Sequence, residues 1–230
     1  MDYILEGVSQ AFRLILSLDR EVLSVVGVSL RVSSMATMLA CLAGIPLGLL
    51  IGVREFRGKA LVVTLLNTLM ALPTVVVGLV VYSFLSRRGP LGVLGLLYTP
   101  GAMVIGEFIL ALPIITALSL SAVQAVDPRA RRTALTLGAS NVQASFTVLR
   151  EARFGMCASA MAGFGRVIAE VGCAMMVGGN IKDHTRTMTT AIALETSKGE
   201  FSLGIALGIL LLCISFAVNL LTQVLRSRRT

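Results

Sequence analysis

With 230 residues, 56% of them hydrophobic and only 14% charged, the chain falls far below the roughly 25% charged residues of a soluble domain and reads as a membrane protein. Its net charge of +8 does not point to nucleic acid, because aromatic residues are few and the basic residues sit at the ends of apolar runs, where membrane topology accounts for them. The cysteines (Cys41, Cys157, Cys173, Cys213) all lie in apolar segments without Cys-x-x-Cys spacing, so neither a disulfide nor a metal site is expected.

Residues 3–26 predict an amphipathic helix. Ile4, Val8, Phe12, Ile15 and Leu16 share one face, with Glu6, Arg13 and Asp19 off it. Asp2 and Glu6 stand where a signal peptide carries cations, so no signal peptide is expected; the helix should lie along the membrane or on a neighbouring span.

Five apolar stretches follow, near 30–53, 60–85, 102–125, 155–181 and 202–225. Each can cross about 30 Å of hydrocarbon, which takes about 20 residues. On the first, Gly44, Gly48 and Gly52 recur every four residues, a spacing that admits another helix closely, within the subunit or across a dimer. Pro46, Pro73 and Pro113 each fall inside a span and predict bends. The run 89–101, bounded by Gly-Pro and Pro-Gly, is short and reads as an interfacial elbow. Glu107, inside the third span, reads as a hydrogen-bonding group packed between helices.

Between the third and fourth spans the chain turns polar. Residues 127–153 carry five arginines (129, 131, 132, 150, 153) against Asp127 and Glu151. Asp127-Pro128 is a helix-start signal, and a helix is expected through about 141, followed by a second at about 141–152. Gly138 permits a turn or a close approach between them. The small apolar face of Ala134, Leu135, Leu137, Gly138 and Ala139 suits docking into a groove on another protein; a solvated connector is the alternative.

In the fourth span Arg166 and Glu170 lie four apart, on one helix face. Charges at this depth cost on the order of 3 kcal/mol each and should face protein or water. The Arg-then-Glu order is the weaker helical pairing, so partners on another helix are expected. The two residues are candidates for a translocation gate or for a fixed ion pair. Gly178, Gly179 and Asn180 end this span and are candidate path residues. Lys182, Thr185, Arg186 and Thr187 follow and offer charges and hydroxyls to an external solute-binding protein. His184 reads as a surface-loop residue.

Orientation follows from the basic residues at span ends. With the N-terminus outside, eleven fall inside (Arg54, Arg57, Lys59, the five of the insert, Arg226, Arg228, Arg229) and seven outside (Arg13, Arg20, Arg87, Arg88, Lys182, Arg186, Lys198). The excess favours N-terminus out and C-terminus in, with the insert cytoplasmic. Five spans enclose too little polar surface for a solute path, so a second copy is expected. No phosphate-binding loop, nucleophile triad or Cys/His metal spacing appears.

The segment "TALTLGAS" resembles the coupling loop of ABC transporter permeases, whose pattern is Glu-Ala-Ala, three residues, Gly, nine residues, Ile-x-Leu-Pro. Ala134, Gly138 and Val148 take family positions; Arg132, Thr133, Arg150 and Glu151 depart from them. The stretches "GIPLG", "LNTLMALPTVVVGLVVYSFLSRRGPLGVLGLLYTP", "GFGRVIAEVGCAMMVGGNI" and "TRTMTTAIALETSKGEF" resemble the permeases of tungstate importers, relatives of the molybdate permeases, over about residues 20–220. The resemblance implies an all-α polytopic fold of the type I importer kind, one transmembrane domain over 1–230 with its coupling loop at about 127–153. It implies a non-enzymatic transport subunit of the cell's inner membrane. ATP and Mg would sit on a separate ATPase, with no cofactor on this chain, and the partners would be membrane lipid, a second copy, that ATPase and an external binding protein. A molybdate or sulfate permease, an ATP-independent transporter or channel, and a structural membrane protein are the alternatives.

Overall fold

A computed structural model describes residues 20–227, with 7–9 and 13 before them, and side chains as far as residue 220. The amphipathic helix expected at 3–26 therefore lies largely outside the described residues, as do Arg228 and Arg229. Where described, residues 7–9 are helical, and a Cβ on Gly7 would lie 2.7 Å from Ile205.

Among the described residues the elements are helical throughout: α1 Arg20–Val53, α2 Lys59–Met70, α3 Thr74–Leu85, a 3-10 turn Gly92–Leu94, α4 Pro100–Gln124, α5 Pro128–Thr136, α6 Asn141–Glu151, α7 Arg153–Ile168, α8 Gly172–Gly178, α9 Met188–Lys198 and α10 Phe201–Ser227. Three helices, α1, α4 and α10, are long and apolar enough to span singly. The expected second and fourth spans are each broken: α2 meets α3 at 94°, and α7 meets α8 at 62°. Counting each bent pair once gives five spans.

Proline explains the first break. Pro73 caps α3 in extended conformation (φ −62°, ψ 127°); it has no N–H, and its ring pushes the preceding residue out of helical geometry. The last turn of α2 closes instead through Ala71 and Leu72 amides on the Thr68 and Leu69 carbonyls. Pro46 and Pro113 sit within unbroken helices, and those two helices, α1 and α4, are clamped together. A Cβ on Gly44 would lie 3.0 Å from Thr116 Oγ1, on Gly48 2.8 Å from the Thr116 carbonyl, and on Gly52 2.6 Å from Val123. The glycine repeat thus packs inside the subunit, which decides between the two uses expected of it.

This contact runs into a core of Val32, Ala36, Val77, Val81, Met103, Ile115 and Val177, drawn from α1, α3, α4 and α8. A second cluster joins Val22 and Val25 to Ile168, Met188 and Leu207. The 89–101 run is an elbow, as expected. Val93 at its tip is 98% exposed, and the Tyr98 amide donates to the Val177 carbonyl at 2.9 Å, which ties the elbow to the end of α8. α1, at 34 residues, is about 51 Å long at 1.5 Å per residue, and the polar segments gather at its two ends.

Candidate functional site

The insert packs at the C-terminal end of α1. Asp127 accepts from the Arg129 amide at 2.8 Å, with Pro128 in the first turn of α5, so the start signal acts as expected. The first helix is shorter than expected: it ends at Thr136, not near 141, because Gly138 takes the left-handed region at φ 89° and its amide bonds back to Leu135. Ser140 and Gln143 then form a reciprocal capping box that starts α6. Ala144 and Val148 are buried on α6, and Val148 packs in a cluster with Val123, Ala152 and Met156. The large apolar side chains that remain outward are Leu137, 82% exposed, Val142, 67%, and Phe146, 66%. Ala134, Leu135 and Ala139 are half-buried, and Gly138 is exposed.

The second assembly lies at the two helix breaks, which abut: a Cβ on Gly172 would lie 2.9 Å from Val75 and 3.0 Å from Thr74 Oγ1. Arg166 Nη1 donates to Glu170 Oε2 at 2.8 Å. The two are each other's partners, and the expectation of partners on another helix is corrected here. The reason is that α7 stops at Ile168, so Glu170 lies in the bend and escapes the helical geometry that weakens this order. Glu170 is 3% exposed and fully engaged: its other oxygen accepts from the Cys173 amide at 3.0 Å, and its carbonyl accepts from Thr189 Oγ1 at 2.6 Å. The Arg166 side chain keeps 38% exposure. Glu107 is buried among helices as expected, with Ser33 of α1 beside it.

The third assembly lies at the N-terminal end of α1. Glu21 accepts from Lys182 Nζ at 2.7 Å and from Arg186 Nη1 at 3.4 Å. The hydrogen bond to Glu21, with its charge, raises the Lys182 ammonium above its ordinary value of 10.5. His184 is exposed. The hydroxyls expected to face outward do not. Thr185 is fully buried: it donates to the Gly178 carbonyl at 2.6 Å and accepts from the Ile181 amide at 3.0 Å. Thr187, also buried, forms a capping box with Thr190 at the start of α9. In this conformation both are fasteners of the loop, because hydroxyls in an apolar bundle satisfy backbone groups before they meet solvent. Gly178 is likewise closed off, as a Cβ there would lie 2.7 Å from Met103 Sδ. Gly179 and Asn180 turn the chain in the left-handed region (φ 70° and 50°), with the Tyr98 ring beside Gly179.

Thr189 and Thr190, which the sequence likewise offers as exposed donors, are buried; sequence reasoning missed Glu21 and Ser29, whose hydroxyl accepts from the Met188 amide at 2.8 Å. A signal existed: Ser29, Ser33 and Thr37 recur every four residues on α1, and all are buried. Ser119 and Ser159, 2.9 Å apart across α4 and α7, carried no such periodicity.

A bundle of whole and broken spans, with a capped helical insert at one end and a tied polar loop at the other, is the build of a membrane permease. The chain belongs to the family of binding-protein-dependent transport system inner membrane components, whose model matches residues 44–230. It is 44% identical to the tungstate uptake system permease protein TupB of Peptoclostridium acidaminophilum over 95% of this chain and 96% of that protein. It is 42% identical to the protein of the same name from Campylobacter jejuni over 98% and 95%. Its fold matches a bacterial ABC transporter involved in import of the acidic polysaccharide alginate, at a TM-score of 0.76 and 17% identity over 96% of this chain and 84% of that one. The chain is thus the permease subunit of an ABC transport system, a transport component and not an enzyme, and its place is the inner membrane.

Proposed function

We propose that two copies of this chain form the path by which an ABC importer carries a tetrahedral oxyanion, tungstate, across the inner membrane. The names of the two relatives, together with identities above 40% over nearly the whole chain, support tungstate. In this reading the 127–153 insert is cytoplasmic and docks an ATPase subunit that carries ATP and Mg. Ala134, Leu135, Leu137, Gly138 and Ala139 form the docking surface. The N-terminus lies outside and the C-terminus inside. The external binding protein meets the loop through Lys182 and Arg186. The Arg166–Glu170 pair, where the two broken spans abut, forms the gate that the docked ATPase opens and closes.

One observation carries the reading. The insert presents a bulky apolar side chain, Leu137, at 82% exposure immediately after a short helix capped by Asp127. An exposed apolar residue on a rigid mount fits a partner's groove better than it fits solvent. The test is co-purification from gently extracted membranes. Wild-type chain should bring an ABC ATPase with it, and Gly138→Asp should lose that partner and tungstate uptake while still inserting. Uptake that survives Gly138→Asp refutes the docking assignment, and uptake of molybdate in preference to tungstate refutes the substrate.

A further inference from the structure

A groove of about 610 Å³ opens between the last turns of α1 and the outward face of α6. Its walls are apolar: Ile45, Leu49 and Leu50 on one side, Val142, Phe146 and Leu149 on the other. Arg54 and Arg131 stand among its lining residues. Arg131 Nη2 reaches Asn141 at 3.2 Å, while its buried Nε has no partner. Among the described residues no carboxylate forms an ion pair with either arginine. From Ile45 to Val53 the groove follows nine residues of α1, about 13 Å at 1.5 Å per residue, with Arg54 just beyond. One leaflet of hydrocarbon is about 15 Å deep, half of the roughly 30 Å core. The groove is therefore an apolar trough about one leaflet deep that ends at two guanidinium groups without a carboxylate partner among the described residues.

We propose that this groove is a binding site for one anionic phospholipid. An acyl chain lies along the α1 wall, and the phosphate sits between Arg54 and Arg131. The charge argument selects this occupant. An apolar protein segment would leave the two guanidiniums unpaired, and a soluble anion would leave the exposed Val142 and Phe146 wall (67% and 66%) uncovered. A phospholipid with a negative head satisfies both ends at once, as basic pockets between spans do at membrane surfaces. The proposal rests on the membrane reading of the chain alone, and not on the substrate or orientation proposed above.

The test uses the full chain, purified in a nonionic detergent, stripped of lipid and titrated with phosphatidylglycerol or phosphatidylcholine, with retained lipid counted by native mass spectrometry. One phosphatidylglycerol per chain is expected, with about a 30-fold preference over phosphatidylcholine for two phosphate-facing arginines. The double variant Arg54→Gln/Arg131→Gln should lose that preference, and Arg87→Gln/Arg88→Gln, just before the elbow, should keep it. Equal retention of the two lipids by wild type overturns the proposal and depends on no variant. So does a preference that survives in Arg54→Gln/Arg131→Gln. Displacement of the lipid by inorganic phosphate, or by an added ATPase subunit, would assign the groove to those occupants instead. Because the readout is lipid retention, its failure leaves the permease reading untouched.

Discussion

Gly48→Ala separates packing from every other role of α1. A Cβ at this position would lie 2.8 Å from the Thr116 carbonyl, 2.8 Å from Ser119 Cβ and 2.9 Å from the Leu120 amide. Ordinary contact begins at 3.4 Å, so α1 and α4 must part by about 0.6 Å (3.4 − 2.8). Two of the three atoms are backbone, and no rotamer change relieves them. Overpacking of this kind costs about 1–3 kcal/mol, against which alanine gains about 1 kcal/mol of helix propensity over glycine. Gly27→Ala supplies the reference, since nothing lies within 4 Å of a Cβ there and only the propensity gain applies. The difference between the two variants is therefore the packing cost alone, about 2–12 °C in Tm for a chain of this size. The assay heats detergent-extracted protein and follows the soluble, monodisperse fraction by gel filtration. If Gly48→Ala melts with Gly27→Ala, the intrasubunit helix contact is wrong and the repeat belongs to another interface.

Arg166→Met should be the more damaging half of this ion pair, in which only Glu170 is buried. It leaves the Glu170 carboxylate, 3% exposed, without its cation, at about 3–5 kcal/mol. Adding Glu170→Gln to it should restore part of the expression level, and no rescue would mean that the pair is not the source of the loss. Thr185→Val strands the Gly178 carbonyl and the Ile181 amide, for a loss of about 1–3 kcal/mol read in the same melting assay; Thr185→Ser should retain most of the stability. The raised Lys182 ammonium gives the loop clamp a definite pH range: its contribution is fully present below 10.5, the ordinary value, and is lost as pH rises through the higher folded value. Glu21→Gln should lower that value and so speed acylation of Lys182 by an amine reagent at fixed pH. An unchanged rate would show that the clamp does not form in solution.

The three unbroken spans were legible because long apolar runs have one reading in a bilayer. The broken spans were legible only as spans. Pro46, Pro73 and Pro113 carry the same local signal, yet only Pro73 interrupts its helix, because α1 and α4 are held against each other while α2 has no buried residue. Tertiary packing decides which proline breaks a helix, and one chain's sequence does not state that packing. The Arg166–Glu170 pairing was misjudged for the same reason, since helix periodicity stops applying at Ile168. Thr185 and Thr187 looked like surface donors because threonine is polar, while their actual partners are backbone groups that no side-chain pattern announces. The insert was legible almost to the residue at Asp127-Pro128, where capping chemistry is local, and less so at Gly138, where only the φ of 89° ends the first helix early.

The hydrogen bond from Thr189 to the Glu170 carbonyl pinches a 20-residue stretch of chain, 170–189, shut at its base. α8 packs into the core through Cys173 and Val177, and the loop beyond it brings the chain back to the same point, beside the bend of the fourth span. The stretch is fastened again along its length, by the Tyr98 amide on the Val177 carbonyl and by the Ser29 hydroxyl on the Met188 amide, so it is held as part of the bundle. Its outer rim is held by Glu21 through Lys182 and Arg186, so the N-terminal end of α1 and the bend of the fourth span are joined through one closed stretch of chain. The surface cations and the buried bend at Glu170 are in this way the two ends of a single tied loop, although no ion pair among the described residues joins one to the other.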